Sequence, residues 1–494
     1  MGKHRGGDPQ KSLRFARKAL ELYSQGLSRF PANFDLAYNK ARLELELATH
    51  PVTSRVLDVT IKHALEQSLA SHHYALNLAD DNADLLFNAA QVLTAIAENT
   101  ANEEFSDDGL VIRHLQQALE LQARCLQIQA AKFTETQSFQ AEMVHEVDDS
   151  DDEGCATIGS RATTAFEDKD EQDQWVSIVE PLTIDSLVDT VLAQMSTLTT
   201  LCNVMISQVI EHDATRSSVS IAWLRDCSDR LVDGDLADLA RQSQAVVEAR
   251  TAEITVRRTS LQASLLELAF RTGSISLTTY VERLETTFYA DKPDIAASSD
   301  LYMAHARALI SMNSAIHDTL TDAPDTFAST HANIRWNALS KAQKLLTTCA
   351  SFEATKADQP ALAMTHMLRG DVSLSLHNLS YPPVCFSQAV QNSAQLLKNA
   401  EIFYRNASKL SSRNEGIDEP SPQVASLRSI VAGALQAINP ILTGVKEEAT
   451  FEIRQKLEDS LRNVSIEKDD AWRMGQIEDM VNDALICGDF LNMA

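Results

Sequence analysis

A thirteen-residue stretch near the start of the chain occurs twice. Residues 31–43 read PANFDLAYNKARL, and residues 80–92, forty-nine positions later, read DDNADLLFNAAQV. Identical or similar residues pair at Asn33/Asn82, Asp35/Asp84, Leu36/Leu85, Tyr38/Phe87, Asn39/Asn88 and Ala41/Ala90. A unit that recurs in this way is typical of stacked repeats, in which neighbouring units bury a common core. The repeat therefore favours a binding scaffold over an active site.

Composition favours helices joined by short loops. Only 15 glycines and 12 prolines occur among the 494 residues, whereas alanine, leucine, glutamine and glutamate are plentiful. Glycine and proline interrupt helices, so their scarcity indicates few breaks. No β-branched run bounded by Gly or Pro is long and regular enough to predict a sheet. A chain of this length can form several domains or one extended array, and its composition favours the array.

The chain is strongly acidic. It carries 69 Asp and Glu residues against 43 Lys and Arg residues, a formal net charge of −26. Such a field repels nucleic acid and anionic lipid, so the expected partners are basic proteins, with no direct contact to nucleic acid or membrane. Residues 1–8, which are locally basic, are expected to form a flexible N-terminus.

Cysteine spacing and hydropathy predict the compartment. The seven cysteines lie far apart without a CxxC pair, which suits reduced thiols in the cytosol or nucleus. No run approaches the roughly 18 apolar residues of a membrane span, and the start of the chain lacks the apolar core of a signal peptide. These features predict a soluble protein of the cytoplasm, the nucleus or both.

Two helices are predicted around the first repeat stretch. The first runs from about residue 8 to residue 29, and the second, capped by Asn33, runs to about Thr49. The predicted buried stripe of the first helix comprises Phe15, Ala19, Tyr23, Gly26 and Leu27.

The spacing of Ala19, Tyr23, Gly26 and Pro31 resembles the small, aromatic, small, proline pattern that closes the second helix of a tetratricopeptide repeat. Small residues let helices approach closely, and proline cannot continue the helix. The resemblance implies an all-α fold, a TPR-like α-helical solenoid in which antiparallel helix pairs stack in a superhelix.

The resemblance also implies a binding groove. In tetratricopeptide repeats the first helix of each pair lines the peptide-binding groove, and the matching positions here are Asp35, Tyr38, Asn39, Arg42, Asp84, Phe87, Asn88 and Gln91. Asn39 and Asn88 resemble the asparagine with which the family grips an extended backbone, because a side-chain amide both donates and accepts hydrogen bonds.

The charge of this groove departs from one branch of the family. Repeats that bind chaperone tails use Lys and Arg to hold a carboxylate, whereas this groove offers Asp35 and Asp84 with only Lys40 and Arg42 nearby. An acidic groove suits a Lys/Arg-rich segment. The alternative is structural: the two aromatic residues pack in the core and the asparagines satisfy neighbouring helix ends.

An acidic segment interrupts the helical pattern. Residues 146–173 carry eleven acids against Arg161 and Lys169, too much charge to bury a core. The composition predicts a long disordered acidic insert over residues 141–175. Ser150, within DDSDDE, is a candidate phosphosite for an acidophilic kinase, and phosphorylation there adds roughly two negative charges. A linker that only solubilises the chain is equally consistent with the composition.

The repeat pattern returns downstream. Residues 364–374 resemble the first helix of a repeat with Gly370 at its close-approach position, and Ala389 and Tyr404 are predicted on the helix that follows. Further helices are predicted over about 216–230, 235–272, 276–289, 301–316, 336–346, 423–439, 446–464 and 467–491, the second of them with an internal break. The predicted organisation is an N-terminus (1–8), TPR-like repeats (9–140), the insert (141–175), a continuing array (176–412), a linker (413–422) and C-terminal capping helices (423–494).

No catalytic or cofactor motif was found. The sequence lacks GxxxxGK[ST], GxGxxG, HExxH and GxSxG motifs and any Cys/His cluster at metal-ligand spacing. His72 and His73, the one adjacent histidine pair, point to different faces of a helix. The expectation is a non-enzymatic chain without cofactor or metal.

Three functions remain open. The first is a protein-binding scaffold, in particular a dedicated chaperone that shields a basic client in its concave groove. The second is an adaptor or regulatory subunit of a larger complex, tuned by phosphorylation of the acidic insert. The third is an enzyme whose residues are too scattered to recognise in one sequence. The sequence does not specify the client or the oligomeric state.

Overall fold

The computed structural model describes residues 9–50, 53–101, 108–147, 182–211, 221–289, 298–320, 325–382, 384–411, 421–442, 470–483 and 485–486. Across these ranges the regular structure is helical, and no strand occurs. The all-α class predicted from composition is therefore confirmed. The predicted N-terminus, most of the acidic insert with Ser150, most of the linker and the predicted 446–464 helix lie outside the described residues.

Five helices form the N-terminal part: α1 (Pro9–Arg29), α2 (Phe34–Thr49), α3 (Ile61–Leu76), α4 (Ala83–Ala101) and α5 (Asp108–Val147). The predicted cap of α2 is confirmed, since Asn33 Oδ1 accepts a hydrogen bond from the Leu36 amide at 2.9 Å. Asn82 repeats the arrangement at α4, where it accepts from the Leu85 amide at 2.9 Å. The recurring asparagine therefore marks two helix starts.

The buried stripe of α1 differs from the prediction. Leu13 and Ala16 are the buried residues of this helix, whereas Phe15 is half exposed. Helix α1 packs mainly on α2 and a short 3₁₀ turn, Ser54–Val56, so only one narrow face is covered. Gly26 does make the expected close approach: a Cβ atom there would stand 2.9 Å from Leu36 Cδ1.

Helix α5 is longer than predicted. It spans 40 residues and ends at Val147, so residues 141–147 are helical and the predicted start of the insert at 141 is wrong. Glu146, the first acid of the predicted acidic stretch, lies within this helix. Glutamate is compatible with a helix, because its side chain loses little freedom there.

The middle of the chain is less regular. Helix α6 (Ile184–Glu211) is followed by α7 (Ile221–Asp229), a π-helical segment (Arg230–Asp235), α8 (Leu236–Gln242), α9 (Gln244–Ala249), α10 (Thr251–Arg271) and α11 (Leu277–Tyr289). The break predicted inside 235–272 occurs at Ser243 and Arg250. Gly273 ends α10 with φ of +71°, a backbone conformation that glycine adopts without strain.

The C-terminal part contains α12 (Ser299–Leu320), α13 (Asp325–Cys349), α14 (Glu353–Ala357), α15 (Gln359–Asn378), α16 (Ser387–Ser411), α17 (Pro422–Leu442) and α18 (Asp470–Asn482). The predicted role of Gly370 is confirmed, because it faces the ring of Tyr404 on α16. Tyr404 also donates a hydrogen bond to Asp371 Oδ1 at 2.8 Å, and Arg428 of α17 bonds to the same oxygen. This buried network joins α15, α16 and α17.

Sequential helices pack antiparallel to each other. Gln122 and Gln129 of α5 bond to Thr197 and Thr190 of α6 at 3.1 and 2.8 Å. Residue numbers therefore decrease along α6 as they increase along α5, so the two helices are antiparallel. Helices α12 and α13 repeat this order, since Asn313 accepts from Arg335 and the Ser299 carbonyl accepts from Cys349.

Alternate helices run parallel. Arg250, which precedes α10, and Arg257 and Ser264 of α10 contact Asp189, Ser196 and Asn203 of α6, each pair 61 residues apart. A constant separation requires that the two helices point the same way. Contacts of Tyr38 with Asn88, Thr94 with Thr197 and Glu267 with Ser311 join α2 to α4, α4 to α6 and α10 to α12. We call α2, α4, α6, α10 and α12 the parallel layer.

Consecutive helices are antiparallel, and the alternate helices form one parallel layer. This arrangement is an α-helical solenoid. Its hydrophobic core is a series of clusters between successive helices, and the largest unite α4 to α10, α10 to α16 and α15 to α18. Among the described helices, none is long and apolar enough to cross a membrane.

Candidate protein-binding site

Residues predicted to line a groove converge on the first two helices of the parallel layer. Asn88 Nδ2 donates to the Tyr38 hydroxyl at 3.4 Å, which joins α4 to α2. Burial raises the pKa of Tyr38, and the nearby Asp84 carboxylate raises it further, whereas Arg42 opposes the shift. Tyr38, Arg42, Asp84 and Asn88 therefore lie close together on one surface patch.

The two asparagines differ in their contacts. Asn39 is exposed, and its Nδ2 donates to the carbonyl of Asp35 at 2.8 Å, one turn earlier on the same helix. Asn88 is half-buried and bonds to Tyr38. Both side-chain carbonyl oxygens remain without a hydrogen bond to a described residue. Each asparagine can therefore accept a hydrogen bond without losing the one that it donates.

The aromatic residues contribute to packing. Tyr38 packs with Ala37, Ala75 and Leu85, and Phe87 packs with Leu86 and Cys125, so both are half-buried. This arrangement matches the structural alternative for the two rings. The exposed members of the predicted set are Asp35, Asn39, Arg42, Asp84 and Gln91.

Carboxylates lie at the same end of every helix in the parallel layer. The first turns of these five helices contain Asp35, Asp84, Asp185, Glu253 and Asp300. No acid occurs in the first turns of α1, α3, α11 or α16, whereas the first turns of α5 and α8 contain Asp108 and Asp238. An acid there stabilises its own helix dipole. Because the five helices are parallel, these acids also form an edge that crosses the layer.

One arginine, Arg250, forms ion pairs with three carboxylates at or beside this edge. Arg250 contacts Asp185, Asp189 and Glu253, whose side chains stay 58%, 56% and 47% exposed. Hydrogen bonds to Glu253 and Asp189 raise the pKa of Arg250, so it stays charged. Three acids with one base leave this part of the edge negative and accessible to a cation.

A groove of ≈ 900 Å³ lies between α6, α10 and α12. Small side chains make up part of its lining, namely Ser260, Ala263 and Ser264 of α10 and Ala304, Ala308 and Ser311 of α12. Small side chains leave room for an extended chain in the groove. The sequence did not predict this groove, because the contacts that build it join helices 61 residues apart without a recognisable motif.

Several cysteine and histidine side chains are buried in the hydrophobic core. Burial raises the pKa of Cys125 to about 11 and that of Cys202 to about 12, which keeps both as unreactive thiols. His72 is buried and its Nδ1 bonds to the Ser68 carbonyl at 2.8 Å, whereas His73 is exposed. Within the described ranges, no group of three or more His, Cys, Asp or Glu residues is arranged to hold a metal ion.

Comparison with known proteins gives limited matches. No family model matches the sequence. UPF0656 protein C926.02 of Schizosaccharomyces pombe is 35% identical over 125 residues, which is 25% of this chain and 26% of the relative. The chain thus matches about a quarter of the length of that curated relative. A solved circular tandem repeat protein with novel repeat topology and enhanced subunit contact surfaces aligns with 97% of this chain and 92% of its own, at 13% identity and a TM-score of 0.28.

Proposed function

We propose that this chain is a non-enzymatic protein-binding scaffold that holds a Lys/Arg-rich polypeptide along the parallel layer. The observation that supports the proposal is the edge of first-turn carboxylates, which crosses five parallel helices. An extended chain laid across these helices would meet one carboxylate per helix. Repeated, regularly spaced acids suit a ligand that carries many positive charges.

Electrostatics favour a basic ligand over other classes. The net charge of −26 attracts a basic segment from a distance and accelerates its capture, and it disfavours nucleic acid and anionic lipid. Asp35, Asp84, Asn39 and Asn88 supply acceptors for cations and backbone amides at one end of the layer. The client is accordingly a protein, with no direct part for nucleic acid or membrane.

A dedicated chaperone is the specific role that we propose. Basic segments that bind nucleic acid associate nonspecifically with polyanions, and an acidic scaffold would shield them until assembly. The proposed compartments are the cytoplasm and the nucleus, where such clients are made and used. No cofactor is required for this activity.

Affinity capture at two salt concentrations tests the proposal. The tagged full-length chain should retain one or two basic proteins at about 50 mM NaCl and lose most of them at about 500 mM, because salt screens exposed charges. A synthetic Lys-rich peptide should bind directly and with the same salt dependence. Salt-insensitive recovery of a multi-subunit complex would instead favour the adaptor function, and absence of binding to the Lys-rich peptide would contradict the basic-client proposal.

A further inference from the structure

The groove between α6, α10 and α12 contains hydrogen-bond donors that have no acceptor. Arg307 of α12 lines this groove and forms no ion pair or hydrogen bond with any described residue. Arg257 of α10 donates to the Ser196 hydroxyl at 2.7 Å and has no carboxylate partner within the described ranges. Asn203 of α6 accepts from Ser264 at 3.0 Å through Oδ1, and its Nδ2 makes no bond to a described residue.

Two of the three acids that line the groove, Glu253 and Glu267, are ion-paired. Glu267 is buried and bonds to Arg271 at 2.8 Å and to Ser311 at 2.5 Å. Glu253 bonds to Arg250 at 2.7 Å. Asp300 lies at the rim, two turns before Arg307, and does not pair with it. Within the described ranges the lining therefore has two arginines without a carboxylate partner, Arg257 and Arg307, against one carboxylate without an ion pair, Asp300.

Arg307 occupies a central position in this surface. Its side chain also lines a second cavity of ≈ 230 Å³, between α12, α13 and α15, and Asp300 and Met303 line both cavities as well. The Arg307 side chain is exposed, although neighbouring protein atoms lower its pKa by desolvation. The guanidinium is therefore accessible to a carboxylate of a bound partner.

We propose that this groove is a second binding site, which takes an extended acidic segment of a partner protein and pairs one of its carboxylates with Arg307. A carboxylate supplies the acceptor that Arg307 lacks, and a guanidinium binds a carboxylate through two parallel hydrogen bonds. Arg257 and the Asn203 amide would bind further carboxylate or carbonyl oxygens. The small side chains that line the groove would let the bound backbone lie close to α10 and α12.

This site differs from the proposed basic-client site in its binding residues, although Glu253 and Asp300 of the carboxylate edge also line the groove. The carboxylate edge lies at the helix starts and would bind cations, whereas the donors of the groove lie further along the same helices and would bind anions. A partner with an acidic and a basic segment could occupy both. The two sites are tested through different residues, namely Arg307 for the groove and Asp35 with Asp84 for the carboxylate edge.

Fluorescence anisotropy with labelled peptides tests the second site. The probe is a C-terminally amidated peptide of alternating Glu and Gly residues, and the controls replace Glu by Gln or by Lys. The full-length chain should bind the Glu peptide at least about tenfold more tightly than the Gln peptide. Equal affinity for these two peptides would overturn the proposal.

Variants assign the binding to Arg307. Arg307→Gln should remove most of the preference for Glu over Gln, whereas Arg283→Gln, which changes an exposed arginine on α11, should retain it. Lys-peptide binding should be unaffected by Arg307→Gln. A preference for Glu that survives in Arg307→Gln would refute the assignment.

Two further measurements separate binding from folding. Because Arg307 has no partner in the described ranges, Arg307→Gln should melt at the same or a higher temperature than the wild type, and a clear decrease would indicate a structural role and contradict the proposal. A chain without residues 148–173 should be measured in parallel, since its acids would compete for the groove. Tighter binding of the Glu peptide by the shortened chain would support the site and identify residues 148–173 as a competing ligand. If neither chain prefers the Glu peptide over the Gln peptide, the proposal is overturned.

Discussion

Gly370 lies against the ring of Tyr404, so closely that a Cβ atom on Gly370 would stand 2.5 Å from Tyr404 Cε1. Tyr404 is fully buried, and its hydroxyl is fixed by Asp371, so the ring cannot withdraw. The contact sets the distance between α15 and α16. Any side chain at residue 370 must move one of the two helices.

Gly370→Ala should therefore destabilise the fold by about 1–3 kcal/mol, the range typical of overpacked cores. Urea denaturation followed by circular dichroism measures the change. Gly433→Ala on α17 is the matched control, because a Cβ atom there has no heavy atom closer than 4.0 Å. That variant should gain about 0.5–1 kcal/mol from helix propensity. Equal stability of the two variants would disprove the close-approach role.

Thr190→Val tests the polar contacts between α5 and α6. Valine has nearly the shape of threonine but leaves Gln129 Oε1 without the hydroxyl that bonds to it at 2.8 Å. An unsatisfied buried acceptor costs about 1–3 kcal/mol, so the denaturation midpoint should fall. Thr199→Val, whose hydroxyl bonds only to its own helix, should change stability much less. A midpoint as high as that of this control would mean that the Gln129 contact contributes nothing.

Buried histidines should make the fold acid-sensitive. Burial lowers the pKa values of His305, His317 and His366 to about 4, against about 6.5 in an unfolded chain. Between these values the unfolded chain takes up protons that the folded chain does not, so stability is complete above about pH 6.5 and is lost as the pH falls towards 4.

His305→Gln isolates part of this effect. One pKa unit corresponds to about 1.4 kcal/mol, so His305, whose pKa is lowered from 6.5 to about 4, should account for a loss of about 3 kcal/mol between neutral pH and pH 4. The variant should show a shallower dependence of the denaturation midpoint on pH than the wild type. The exposed His63→Gln should keep the wild-type slope. Identical slopes for all three proteins would show that His305 titrates normally.

Asp35→Asn combined with Asp84→Asn tests the basic-client site. Removal of two exposed carboxylates should weaken Lys-peptide binding several-fold at low salt and less at high salt. Loss of the helix-dipole interactions should lower stability by only about 0.3–1 kcal/mol for each residue. Asp226→Asn combined with Asp229→Asn, on exposed positions of α7, removes the same charge elsewhere and should leave the affinity nearly unchanged. Equal effects of the two pairs would favour net charge over a defined site.

Asn39→Ala combined with Asn88→Ala tests the predicted backbone contacts. Client binding should decrease while the thermal melt stays nearly unchanged, because Asn39 bonds only to its own helix and the Asn88 contact with Tyr38 is long. Isothermal titration calorimetry with the Lys-rich peptide measures the first effect and circular dichroism the second. Unaltered binding would remove both asparagines from the site.

Local signals in the sequence predicted much of the fold. Asn33 caps the start of α2 and Gly273 ends α10, and each role depends only on a few neighbouring residues in the sequence. Gly370 was predictable because its spacing matched that of a repeat. Phe15 was assigned wrongly, since periodicity locates an apolar face but does not show whether a neighbouring helix covers it.

The site was predicted less completely than the fold. The repeat located the Tyr38 and Asn88 patch because both belong to matching stretches. Arg307 could not be recognised in the same way, because its lack of a carboxylate partner depends on how α12 packs beside α10 and α13. The acids in the first turns could have been recognised in the sequence as residues near helix starts. That they form a common edge is evident only once the helices are known to be parallel.

The short range of the helix contacts has a consequence for biosynthesis. Helix α1 needs only α2 and the 3₁₀ turn, and α2 to α4 pack chiefly on one another and on α5. A ribosome that has released about the first 150 residues has thus supplied most of the partners that these helices use, and elements of a repeat array can fold one after another. The amino-terminal patch with Tyr38 and Asn88 can therefore form while the remainder of the polypeptide is still being translated.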